Sequence, residues 1–156
     1  MEQQAPRIVV DADACPVKRE IAETARAFRV PVLLVASYDH RMEAADGVEI
    51  KQVDRSSQSV DLYISNLVSA ADIVVTQDFG LAAVALGKRA TVLSNRGEQY
   101  TNETIDYLMA RRHDHAKIRR GGGRTRGPKA MTDDDRRQFQ QKLTKVLEDL
   151  QENREP

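Results

Sequence analysis

The chain has no tryptophan, one cysteine, three phenylalanines and four tyrosines among its 156 residues. Each scarcity excludes something. Cys15 alone cannot close an internal disulfide. So few aromatic rings leave few platforms on which unpaired bases could stack, which argues against sequence-specific reading of a single strand. No apolar stretch approaches the roughly 20 residues that span a bilayer, and the opening MEQQAPR lacks the apolar run of a secretion signal. A cytoplasmic protein in a reducing compartment, with no membrane partner, is the expectation.

Net charge is also missing, since 24 Lys and Arg balance 24 Asp and Glu. That zero hides an asymmetry. Residues 111–129 gather Arg111, Arg112, Lys117, Arg119, Arg120, Arg124, Arg126 and Lys129 against Asp114 alone, so this segment carries +7 and the remainder −7. A basic strip on an acidic body suggests a polyanionic partner held near a cation-binding site, although a solvated tail has the same composition. The 40% hydrophobic content suits a single domain over 1–156. Its expected parts are a core at 7–115, a basic glycine-rich loop at 116–130 and a C-terminal helix at 132–153.

Short β-branched runs alternate with helical patterns. Ile8-Val9-Val10 reads as a buried strand ending at Asp11, and Pro16 as the first turn of a helix to about Phe28. Val32–Val35 is a second buried strand, and the alternation of 48–53 marks an edge strand. Ser56 or Ser57 can cap a helix with Val60, Ile64, Leu67, Val68 and Ala71 on one face. Ile73-Val74-Val75 and Ala90–Leu93 are the remaining strands, separated by an alanine-rich helix ending at Gly87. Thr101 or Asn102 caps a helix through about Arg112. After the glycine-rich RRGGGRTRGP, Thr132 and three aspartates open a last helix whose stripe of Phe139, Leu143, Val146, Leu147 and Leu150 suits core or a homodimer contact. The pattern predicts an α/β three-layer sandwich around a mainly parallel five-stranded sheet.

In such sheets ligands bind beyond the carboxyl ends of the strands, where strand order reverses. Asp11 and Asp13 close the first strand, Asp78 follows the fourth, and Asp61 is expected in the first turn of the helix after the third. Asp72 opens a strand and belongs to the opposite edge. Each acid has a bland reading as a helix cap or dipole partner. Four converging from three segments repel one another unless a cation joins them. Hard oxygen donors favour Mg²⁺ or Mn²⁺, and no His or Cys cluster offers a zinc site. His113 and His115 read as exposed polar residues, and Cys15 as a small apolar residue at a strand–helix junction.

Three segments carry a family resemblance: Val10-Asp11-Ala12-Asp13-Ala14-Cys15-Pro16-Val17-Lys18, Asp72-Ile73-Val74-Val75-Thr76-Gln77-Asp78, and residues 120–129, Arg-Gly-Gly-Gly-Arg-Thr-Arg-Gly-Pro-Lys. Over nearly the whole chain these closely resemble the YaiI/YqxD family of uncharacterised bacterial proteins. More distantly, residues 7–95 look like PIN and NYN nuclease domains, with Asp11, Asp61 and Asp78 on the acidic positions of that pattern. Phe79 and Gly80 stand where a further acid is often found, and Asp13 is the candidate replacement. That resemblance implies metal-assisted hydrolysis of phosphodiester bonds in RNA or DNA, RNA being favoured. Asp11 and Asp78 would be primary metal ligands, and Asp61 and Asp13 would bind directly or through water. Lys18, Asn95, Arg96, Arg119, Arg120, Arg124, Arg126 and Lys129 are the candidate nucleic-acid contacts.

Two rival functions fit the same residues. A strand ending Asp-x-Asp is also the nucleophile motif of haloacid-dehalogenase-like phosphotransferases, with Asp11 phosphorylated, Asp13 as acid/base and Ser37 as the phosphate-binding hydroxyl. Alternatively, the basic segment serves a non-catalytic RNA-binding module and the acids are structural.

Overall fold

The computed structural model describes residues 5–37, 45–54, 57–122 and 130–154, with the side chains of residues 57, 58, 112, 115–117, 119, 120 and 154 outside that description. Five strands, β1 (Ile8–Asp11), β2 (Val32–Ser37), β3 (Val48–Val53), β4 (Ile73–Val75) and β5 (Thr91–Leu93), form one sheet in the order β3-β2-β1-β4-β5. Every strand pairing is parallel. Five helices, α1 (Lys18–Phe28), α2 (Ser57–Leu67), α3 (Phe79–Gly87), α4 (Asn102–Arg120) and α5 (Asp133–Arg154), complete the fold.

The period of two along a strand creates the three layers. Ile8 and Val10 of β1 point into a cluster with Ile21 and Ala25 of α1 and Phe139, Leu143 and Leu147 of α5. Val9, between them, points the other way, towards Val60 and Ile64 of α2, Leu81 and Ala85 of α3 and Ile105 of α4. The α5 stripe is therefore core, buried by this chain's own sheet and α1. β3 is an edge strand, with its alternating side chains half-buried and exposed.

Helix ends follow capping chemistry, and two depart from expectation. Thr132 and Asp135 form a reciprocal box: the Thr132 N–H donates to Asp135 Oδ2 at 3.0 Å, and the Asp135 N–H to Thr132 Oγ1 at 3.1 Å. Thr101 caps α4 by accepting from the Thr104 N–H. Pro16, in contrast, precedes α1, which begins at Lys18 with Val17 as a cap that makes no side-chain bond. Neither Asp11 nor Asp13 caps that helix.

The second departure is α4, which continues to Arg120 and not to Arg112, so residues 116–120 of the expected loop are helical. The stretch 113–120 contains no glycine or proline, and the helix stops only at Gly121 and Gly122, the latter with φ +88°. Its packing ends sooner: Ile105 is buried, Leu108 half-buried, and Met109 and Arg111 exposed. Among the described residues no helix is long and apolar enough to cross a membrane.

Candidate functional site

The chain runs β1 to β2 to β3 towards one side of the sheet, then crosses back so that β4 and β5 lie on the other side of β1. The switch point lies between β1 and β4, and in open parallel sheets ligands bind beyond the carboxyl ends of the strands at such a point. Register pairs Val10 with Val75, so Asp11 stands beside Thr76. The Thr76 hydroxyl donates to Asp11 Oδ2 at 2.9 Å and accepts the Asp78 N–H at 2.9 Å. One side chain thus orients both aspartates. Asp78 also caps α3, its Oδ1 accepting from the Leu81 N–H at 3.0 Å.

Asp61 is the fifth residue of α2, in the second turn and not the first, so it is not placed to complement the N-terminal dipole. It instead reaches Asp78. Partial burial, a hydrogen bond shared with the Asp78 carboxylate, and the charges of Asp78 and Asp11 push its pKa up to about 7. Asp11 is raised by burial too, an effect that the Thr76 hydrogen bond opposes and the Asp78 and Asp13 charges reinforce. Asp13 is anchored by the end of β2, its Oδ1 accepting from the Ser37 N–H at 2.9 Å. The four acids therefore interact at one edge.

Asp72 lies at the other edge. It is 2% exposed, bound by the Arg7 guanidinium at 3.0 and 3.1 Å and by the Ser69 N–H at 2.8 Å.

As they stand, no three His, Cys, Asp or Glu side chains among the described residues come together as a metal-binding group. The donor chemistry nevertheless suits a hard divalent ion, being all carboxylate with mutual charge to relieve. Gly80 adds room: a Cβ there would stand 3.2 Å from Asp78 Oδ1. The departure from a second acid at this point thus keeps space over the Asp78 carboxylate.

The candidate contacts fare differently. Lys18 opens α1, half-buried, near enough to Cys15 to act on its thiol. Asn95 does lie beyond β5, but it is only 5% exposed; its N–H donates to Gln77 Oε1 at 2.8 Å and its Nδ2 to Ala14 O at 3.3 Å. Arg96 Nη1 meets Asp135 Oδ2 at 2.5 Å. Arg119 and Arg120 end α4 with side chains outside the description, and Arg124, Arg126 and Lys129 lie outside the described residues. Ser37, the hydroxyl of the phosphotransferase alternative, is 3% exposed, and its N–H already engages Asp13. Cys15 is buried and its thiol is pushed up to about 11 by burial, which makes it a poor nucleophile.

Comparison with known proteins gives one consistent result. The family profile described as Uncharacterized BCR, YaiI/YqxD family, matches residues 9–149. A UPF0178 protein of Bacillus pumilus is 48% identical over 141 residues, covering 90% of this chain and 85% of that protein. A UPF0178 protein of Listeria monocytogenes is 45% identical over 143 residues, covering 92% and 98%. One from Halalkalibacterium halodurans is 44% identical over 140 residues, covering 90% and 89%. No solved structure matches the chain significantly.

Proposed function

The chain belongs to the YaiI/YqxD family of uncharacterised bacterial proteins, and from that premise we propose that it is a metal-dependent nuclease, with RNA the favoured substrate. The observation that carries this reading is the Asp61–Asp78 pair sharing a hydrogen bond beside the charge of Asp11. Carboxylates from three separate segments converge at a sheet switch point, where ligands bind in folds of this kind. A stability role alone gives no reason to place them against one another. Asp78 does cap α3, yet a cap needs neither Asp61 nor Asp11.

In this reading Asp11 and Asp78 hold Mg²⁺ or Mn²⁺, with Asp61 and Asp13 engaged directly or through water. The ion, when bound, supplies a more acidic water and neutralises charge on the phosphate. The chain's own residues fix the geometry: the Thr76 hydroxyl orients Asp11, the Ser37 N–H orients Asp13, and Gly80 keeps a side chain away from the Asp78 carboxylate, whose Oδ1 accepts the Leu81 N–H. Lys18 and the basic segment 111–129 supply positive charge for the phosphodiester chain, while the Arg96 charge is balanced by Asp135.

The test is cleavage of a labelled RNA and its DNA counterpart with Mn²⁺, alongside Mn²⁺ titration. Asp11→Asn is expected to abolish cleavage and weaken Mn²⁺ binding while the fold persists. RNA binding that is indifferent to Mn²⁺, with no cleavage by the wild-type protein, would replace the nuclease with the non-catalytic module.

A further inference from the structure

Two loops frame the carboxylates, and the C-terminal helix holds both. Arg136, in the first turn of α5, uses Nη1 to donate to Pro16 O at 2.6 Å and to Glu20 Oε1 at 3.2 Å. This ties down the loop that follows Asp11 and Asp13. One residue earlier, Asp135 anchors Arg96 of the β5–α4 loop. Gly97 of that loop, at φ +85°, lies so close to α5 that a Cβ would stand 3.1 Å from Phe139 Cα. Asn95 then joins the loops to each other through Ala14 O.

The β1–α1 loop is held to β2 at its start, by the Ala12 N–H on Val35 O and the Ser37 N–H on Asp13 Oδ1, both at 2.9 Å, but has little of its own to hold its later residues. Val17 caps α1 without a side-chain bond, and the Cys15 N–H reaches Ala12 O only at 3.3 Å. The anchors around it are also thinly satisfied. Among the described residues, Glu20 Oε2 and Asn95 Oδ1 are buried acceptors with no partner. A network in that state has no spare donor to replace one that is lost.

We infer that Arg136 is a positioning residue for the carboxylate site, and that docking of α5 sets the loop that follows Asp11 and bears Asp13, with the Arg96–Asp135 pair as second anchor. The inference rests on the carboxylate edge being the working site. It makes the last helix part of that site, although α5 lies outside the segment that looks like a nuclease core. If α5 merely covered an apolar face, any of its polar contacts to α1 would serve equally. Gln140 provides that control, since its Nε2 donates to Thr24 Oγ1 at 3.2 Å, joining the same helices one turn farther along.

Cys15 reports on the loop without reference to catalysis. It lies between Ala14 and Pro16, is 6% exposed, and must emerge before an aromatic disulfide reagent can reach it. Labelling in native buffer follows the population of the opened loop. Arg136→Ala should label about tenfold to a hundredfold faster than wild type, the effect of losing hydrogen bonds to a charged donor. Gln140→Ala should label at the wild-type rate even if both variants melt a little earlier. Mn²⁺ affinity should fall severalfold in Arg136→Ala alone. If Arg136→Ala does not fold, Arg136→Gln keeps most of the side-chain stem and carries the same expectation. Labelling no faster than in Gln140→Ala overturns the inference and leaves the metal site standing. Fast labelling in a protein whose wild type binds no Mn²⁺ overturns the metal reading and leaves the loop assignment standing.

Discussion

Asp72 and Asp78 flank one short strand, β4, and live in opposite electrostatic worlds. At the amino edge, Asp72 is buried against a guanidinium and a backbone N–H, with opposite charge at hand. At the carboxyl edge, Asp78 has a backbone donor from its own helix but shares its outer side with Asp61, and Asp11 adds like charge. The first arrangement leaves the buried carboxylate with its opposite charge. The second sets carboxylates against one another, an arrangement that raises their pKa values and is common at functional sites. The same residue type therefore separates the edge that holds the sheet together from the edge proposed to work.

The largest effect expected from this contrast is at Asp72. Asp72→Asn leaves Arg7 without its counter-ion and should cost about 2–4 kcal/mol, since removing one partner of a buried pair strands the other. The Arg7 side chain is 35% exposed, which keeps the figure below that of a fully buried pair. Urea denaturation measures it. A loss no larger than that of Asp78→Asn would erase the distinction between the edges.

Much of this contrast was legible in the sequence, because strand ends are. Ile8-Val9-Val10 and Ile73-Val74-Val75 are β-branched and buried on both faces, so the acid after each falls at the carboxyl edge and Asp72 at the other. What escaped is what depends on register and contact. Thr76, just past the strand, reads as one more β-branched residue until β1 and β4 are paired and its hydroxyl meets Asp11. Asp61 appeared one turn too early, and its link to Asp78 spans elements whose approach no local pattern encodes. Helix α4 outran its apolar stripe because a helix needs a reason to stop, and none came before Gly121. The hold of Arg136 on Pro16 crosses 120 residues and leaves no local signal.

A smaller effect, read as a pH dependence, is expected from Asp61. Its folded pKa of about 7 lies above the ordinary 3.8, so between those values the native state keeps a proton that the unfolded chain has released. Stability must fall as pH rises through that window. The Asp61 contribution is whole below 3.8 and lost once pH passes about 7. Because the group is substantially exposed, solvent screening limits the decline to about 1–2 kcal/mol. Asp61→Asn should remove that part of the slope in urea midpoints taken across the window. An unchanged slope would mean that the acids at this edge do not confront one another.

The smallest effect is the most discriminating, because Asp78 has two separable jobs. Asparagine caps a helix about as well as aspartate, so Asp78→Asn retains an acceptor for the Leu81 N–H and removes only the charge facing Asp61. Alanine removes both. Asp78→Ala should therefore cost about 1 kcal/mol, the usual worth of a cap. Asp78→Asn should stay within about 0.5 kcal/mol of wild type in the absence of metal, since the charge that leaves was opposed by its neighbours. With that charge gone, the Asp61 carboxyl should titrate lower, which NMR of its side-chain carbon reads directly. Mn²⁺ affinity should drop in both variants, because a neutral amide is the weaker ligand. If the asparagine variant loses as much stability as the alanine one and Asp61 does not move, the negative charge of Asp78 belongs to the helix dipole. The carboxyl edge would then be built for stability in the same way as the amino edge.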